Sequence, residues 1–347
     1  MTTNNQVDDL RRKLLLGASA LPFAGMGSYA WAADANVNLK ISHQFPGGTA
    51  TQGDFRDRLC RKFAVEVEKK SKGSMKLQVY PGSSLMKTNA QFGALRKGAL
   101  DLSLVPLPYS GGEVAEANIA LMPALVTSYE QAMKWKNAEC GRMLAKTLED
   151  KGVVILSWVW QGGGIASRTK ALIHPEDAKG MKIRGGSREF DLMLKAAGAS
   201  VISLPSNEIY AAMQTGAMDA AFTSSTSFIS FKLEELSKHF TSARNRSYWF
   251  MLEPLMMSKQ IFDGLSKEQR DVLMSVGADM EKFGYESAKA DDKLAASIYA
   301  KAGSKIYDLD DAVIKKWQEI ARQTAWKDFA DRSPSCAALL HAAEKLI

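Results

Sequence analysis

The sequence predicts an α/β protein of two similarly built lobes, and three observations carry that reading. The chain has 347 residues with 46% apolar content, more than one core of ordinary size needs. Past the N-terminus, short strand-like runs alternate with helix-like runs, the grammar of parallel sheets with helices on their faces. One pattern also occurs twice, as "ALRKGALDLSLV" over 94–105 and "AMQTGAMDAAFT" over 212–223. Both read as helix end, glycine, small and apolar residues, Asp, then strand; the alternative is a chance likeness between two αβ junctions.

The first residues stand apart. A twin arginine, Arg11-Arg12, precedes an apolar run from Leu14 that Pro22 and several Gly and Ala interrupt, and that ends in Ala30-Trp31-Ala32. The small-x-small ending marks an export signal over 1–32 of the twin-arginine type, cleaved near Ala32, and hence a periplasmic chain. Leu10, where a polar residue usually precedes the pair, leaves Sec export open as well. The run is broken and barely long enough to span a bilayer, so a membrane anchor is the weaker reading.

Without residues 1–32, which hold three basic and two acidic groups, the net charge falls from +7 to +6. Basic and acidic residues are interleaved, with no basic stripe carrying aromatics, which argues against nucleic acid. Three scattered cysteines, Cys60, Cys140 and Cys336, make no disulfide framework, though one bridge is compatible with an oxidising compartment. His43, His174, His239 and His341 have no metal-ligand spacing.

Along the mature chain, 37–42 reads as a strand. Phe55, Leu59, Phe63 and Val67 recur every four residues as one face of a helix. "MKLQVY" alternates as a strand up to Pro81-Gly82. A helix over 88–97 is closed by Gly98, and "ALDLSLVPL" is an apolar strand. "VVILSWVW" then reads as one continuous strand, followed by the glycine-rich "QGGGIAS", a linker or a place of close backbone approach. "HPEDAKG" is a helical turn, "MKIR" a strand, and "SREFDLMLKAAG" a helix with Ser187 as N-cap. "ASVISL" is a strand, "SNEIYAAMQTG" a helix capped by Ser206, and "AMDAAFTS" a strand. Ser266 and Gln269 form a capping box for a helix running to Lys301, on the order of 50 Å long. Asp310 and Asp311 open a further helix, with negative charge at its positive end, running to about Ala330.

The sequence contains no G-x-S-x-G, no H-E-x-x-H and no Walker loop. It reads as a binder, without enzymatic activity, cofactor or metal. In open parallel sheets ligands sit beyond the carboxyl ends of strands. That rule nominates 43–45, 106–109, 160–164, 184–187 and 223–227. Arg184 lies directly at such an end, and its fork of donors matches a carboxylate. Gly185 and Gly186 leave room for a ligand, and the helix start at Ser187 suits an anion. The competing reading of Arg184 is a structural salt bridge.

From "HPEDAKGMKIR" through "KAAGASVISLPSNEIYAAMQTGAMDAAF" the chain resembles the solute-binding proteins of TRAP (tripartite ATP-independent periplasmic) transporters, the dicarboxylate-binding-protein type. Their pattern runs P-x-D-L-K-G-x-K-[IM]-R, then G-A-x-P, then E-[VI]-Y-x-A-[LM]-Q-x-G-x-x-D. "KKSKGSMKLQVYPGSSL" and "PLMMSKQIFDGLSKEQRDVL" resemble them too. The resemblance implies a two-lobed periplasmic binding protein, type II-like, with hinge connections and a long helix spanning both lobes. The lobes would occupy 33–155 and 156–250, with a strand return and C-terminal helices over 251–347. It also implies that Arg184 grips a ligand carboxylate, and that the partners are a small organic acid and TRAP permease subunits. The chain itself would not span the membrane, and would be a monomer or a homodimer. Another importer or a sensor shares the same physics and is set aside by the resemblance alone; an exported enzyme on the same scaffold is the weaker alternative, since it would need an acid–base pair that the nominated stretches do not offer.

The departures narrow the ligand. Gly163 or Gly164 stands where many members carry a second arginine, with Arg168 nearby as a substitute. Phe222 and Thr223 stand where many have Glu-Asn, which leaves a hydroxyl at best and removes an acid that would bridge a metal. Fewer cations favour a monocarboxylate, such as a keto, hydroxy or aromatic acid. The expected ligand-binding set is Arg184, Trp160, Gln161, Thr223, Ser206, Asn207, Arg168, Phe45 and Trp249.

Overall fold

A computed structural model describes residues 36–347; the export signal read over 1–32 lies outside the described residues. Twelve strands are described: β1 (Val37–His43), β2 (Met75–Tyr80), β3 (Leu102–Leu104), β4 (Val153–Ser157), β5 (Trp160–Ser167), β6 (Lys182–Arg184), β7 (Ser200–Val201), β8 (Ala220–Ser224), β9 (His239–Ser242), β10 (Trp249–Leu252), β11 (Leu255–Ser258) and β12 (Lys305–Asp308). They form two sheets, one per lobe. The first has the order β2-β1-β3-β11-β4; the second has β12-β9-β5-β8-β6-β7, with β10 on β5.

Local pattern explains most elements. The helix α1 (Phe55–Lys70) buries Phe55, Leu59, Phe63 and Val67 against the first sheet. The helix α2 (Arg188–Ala196) is capped by Ser187, whose hydroxyl accepts from the Phe190 N–H at 3.1 Å. A short helix α3 (Ser225–Ser230) follows β8 directly. The capping box of Ser266 and Gln269 opens α4 (Lys267–Lys301), 35 residues long. This helix packs on α1 in the first lobe and on β5 and α3 in the second. It comes so close to β4 that a side chain at Gly277 would meet the Leu156 carbonyl at 2.1 Å.

The repeated pattern is structural. Gly98 and Gly216 both take positive φ, +68° and +75°. Asp101 accepts the Lys40 N–H of β1 at 2.7 Å, and Asp219 accepts the Lys182 N–H of β6 at 2.8 Å. Each Asp thus satisfies a strand donor on the neighbour with which its own strand, β3 or β8, runs parallel.

Four readings are corrected. The apolar run 153–160 is not one strand but two, and the break at Trp158-Val159 is where the chain crosses between sheets. There Glu281 of α4 accepts the Trp158 N–H, and the Val159 carbonyl accepts the Glu253 N–H at 2.8 Å. The glycine run belongs to β5, antiparallel to β8, β9 and β10, so the second sheet is mixed rather than purely parallel. "ASVISL" keeps only two strand residues, at the edge of that sheet. Ser206 makes no cap; it opens a 3₁₀ turn, Ser206–Glu208, behind Pro205. All three cysteines are buried free thiols.

Candidate functional site

The strand β6 pairs in parallel with β8, and Arg184 sits opposite Ala221. Its side chain is 2% exposed. Nε donates to the Leu204 carbonyl at 3.1 Å, Nη1 to the Phe222 carbonyl at 2.7 Å and Nη2 to the Tyr109 hydroxyl at 2.8 Å. A guanidinium has five N–H groups, so two keep no acceptor in these contacts. Among the described residues no carboxylate lies within 4.0 Å of it, which rules out the salt-bridge reading in this structure. Asp191 senses its charge, yet burial still pushes that carboxyl up to about 6.

The glycines behind Arg184 leave space that the protein's own atoms occupy. A Cβ on Gly186, at φ +102°, would meet Arg184 Nη1 at 2.8 Å. One on Gly185 would meet Asp191 and Phe190, each at 2.8 Å. The Gly185 carbonyl accepts the Trp249 indole N–H at 3.0 Å. Nearby lies a cleft of about 560 Å³, bounded by Tyr109 and Asn118 on one side and by Gly186, Ser187, Leu204 and Glu208 on the other; Arg184 is reached from it only through its Tyr109 and Gly186 neighbours and does not itself line it.

A family model for bacterial extracellular solute-binding proteins, family 7, matches residues 47–332. The chain belongs to that family. A solute-binding protein of Albidiferax ferrireducens is 63% identical over 97% of this chain and 99% of the relative. The C4-dicarboxylate-binding periplasmic protein of Rhodobacter capsulatus is 27% identical over 88% of this chain and 90% of its own. The TRAP periplasmic solute-binding protein of Rhodoferax ferrireducens, solved with bound malonate, is 66% identical with a TM-score of 0.88, over 89% of this chain and 98% of that one.

In this family 7 protein the sequence-nominated residues do not all meet. Tyr109 links two of them: its hydroxyl accepts from Arg184 and from the Ser206 N–H at 3.0 Å. Thr223 is buried beside the Arg184 contact at Phe222. Because β5 runs antiparallel to β8, its first residues lie at the carboxyl end of β8, which brings Trp160 and Gln161 to the same edge. Gln161 Nε2 donates to Glu253, and its Oε1 has no protein partner; nor does the Trp160 indole N–H. Phe45 is fully buried, with the Arg56 guanidinium 3.5 Å above its ring. Trp249 is a core residue tied to Gly185. Arg168 lies at the start of β8, reaching the Met218 carbonyl at 3.5 Å, and Asn207 is exposed; neither joins the group.

Sequence reasoning missed Arg56 and Glu253, both essentially buried. One signal for Glu253 existed: a lone acid beside Pro254 inside the apolar run 248–257. Arg56 gave none, since an arginine in the first turn of an amphipathic helix reads as solvated. His43 offers no general base. It pairs with buried Asp57 at 3.1 Å, and its other ring nitrogen accepts the Phe45 N–H at 3.3 Å.

Proposed function

We propose that this chain is an extracytoplasmic receptor that holds a small organic acid by one carboxylate on Arg184 and delivers it to a TRAP-type permease. One observation carries the reading: a buried guanidinium with neutral partners and spare N–H groups. An uncompensated buried charge is costly, and an anionic ligand would supply the missing counter-charge. The malonate in the Rhodoferax protein supports small carboxylates as the class. Arg56 is already matched by Asp54 and Glu253. That favours a keto, hydroxy or aromatic monocarboxylate, with Thr223, Gln161 and Trp160 around its tail. A ligand touching both lobes would bind the closed arrangement better and shift the hinge equilibrium toward it.

The test is calorimetric titration with pyruvate, lactate, a small aromatic acid, malonate and succinate. Arg184→Ala is expected to weaken binding at least about 100-fold, and Arg184→Lys less, with circular dichroism unchanged. Undiminished binding to Arg184→Ala would sink the assignment. A preference for succinate or malonate over every monocarboxylate would overturn the single-carboxylate part.

A further inference from the structure

Arg56 is 1% exposed, and its contacts run in two directions. Asp54, the N-cap of α1, accepts from Nε at 2.9 Å and from Nη2 at 2.7 Å, so one edge of the guanidinium is clamped within the first lobe. The Phe45 ring packs against its face. Nη1 points the other way. It lies 3.3 Å from Ser224 Oγ, 3.1 Å from Ser227 Oγ and 3.3 Å from Glu253 Oε2. Ser224 caps α3 in the second lobe, accepting the Ser227 N–H at 3.2 Å. Glu253 sits where the chain returns between sheets, its N–H on the Val159 carbonyl of the outward crossing. One buried guanidinium therefore joins the first lobe, the second lobe and the crossing strands.

We infer that Arg56 is a positioning residue, a latch that stabilises the closed arrangement of the lobes by engaging Ser224 and Ser227 of the second lobe. The inference rests on the reading of Arg184 as the acid's anchor. The bidentate clamp by Asp54 fixes the fork, so little side-chain freedom is lost when Nη1 meets the serines. Separation of the lobes would pull Nη1 from both hydroxyls and wet a charge that is now dry. A latch of this kind acts on the open–closed equilibrium alone. It scales the apparent affinity for every ligand by the same factor, the fraction of protein that is competent to bind.

The test compares Arg56→Met and Ser227→Ala with the parent chain, by titration of the same acids and by small-angle X-ray scattering of the ligand-free protein. Both variants are expected to raise Kd uniformly across the panel, by about 10-fold or more for Arg56→Met and about 3-fold for Ser227→Ala, the latter losing one of several shared contacts. The ligand-free radius of gyration is expected to grow. Losses that differ more than about 5-fold between acids would mean that Arg56 touches the ligand, and would overturn the latch. Unchanged Kd and radius in Ser227→Ala would overturn it too, and that variant decides the matter if Arg56→Met, with two buried carboxylates stranded, fails to fold. Should Arg184→Ala keep full binding, the anchor reading fails on its own, while the scattering result still judges the latch.

Discussion

At the scale of the residue, the site turns on which partner a polar atom finds. Tyr109 shows this most plainly. The sequence places it only within the strand-end stretch 106–109, but its hydroxyl accepts from both Arg184 and the Ser206 N–H. Tyr109→Phe strands both donors. We expect a stability loss of about 1–2 kcal/mol by urea unfolding and a 5- to 10-fold rise in Kd for the best ligand. A hydroxyl that only supports the fold would change the first and spare the second. Arg184 was legible because a short strand, two glycines and a helix cap surround it within a few residues. Arg56 was not, because its deciding contacts lie 168, 171 and 197 residues away.

At the scale of the element, the glycine run 162–164 is the informative case. It reads as a linker or a place of close backbone approach because glycine weakens strands, and it lies within a strand as the second of these. A Cβ on Gly163 would stand 2.3 Å from both the Thr223 carbonyl and the Trp249 ring, and one on Gly164 2.2 Å from the Thr241 carbonyl. Gly163→Ala should therefore cost about 3 kcal/mol or more in denaturant unfolding. Gly303→Ala is the control. It meets nothing within 4 Å at φ +89°, and should cost only the backbone strain of about 1–2 kcal/mol. Equal costs would show that crowding does not shape this strand.

At the scale of the whole molecule, buried acids set the pH dependence of folding. Burial pushes Glu189 up to about 8, and Glu253 and Asp292 each up to about 7. Asp292 receives the Tyr129 hydroxyl at 2.9 Å and has one oxygen unpartnered. The sign follows from proton counting. Between pH 5 and 8 the folded chain holds protons that the unfolded chain has released, so stability falls as pH rises through that window. His239, lowered by burial, opposes this weakly because it is largely solvated. The unfolding free energy is expected to be higher at pH 5.5 than at pH 8, by on the order of 3 kcal/mol. A flat or rising profile between those values would contradict it.

The sequence by itself determined what depends on neighbours in the chain. The apolar face of α1, the capping box of α4, the N-cap of α2 and the twin glycine–Asp junctions all follow from spacings of a few residues, where periodicity and cap chemistry act. These sufficed for two α/β lobes and for the strand that carries Arg184. Only the tertiary structure decided that one apolar run breaks between two sheets, that Arg168 and Asn207 stand apart from Arg184, and that Arg56 meets the serines beyond β8. The reason is physical: hydrophobic patterning tells a chain which face to bury, but a buried polar group is stable only beside a partner, and here those partners come from distant parts of the chain.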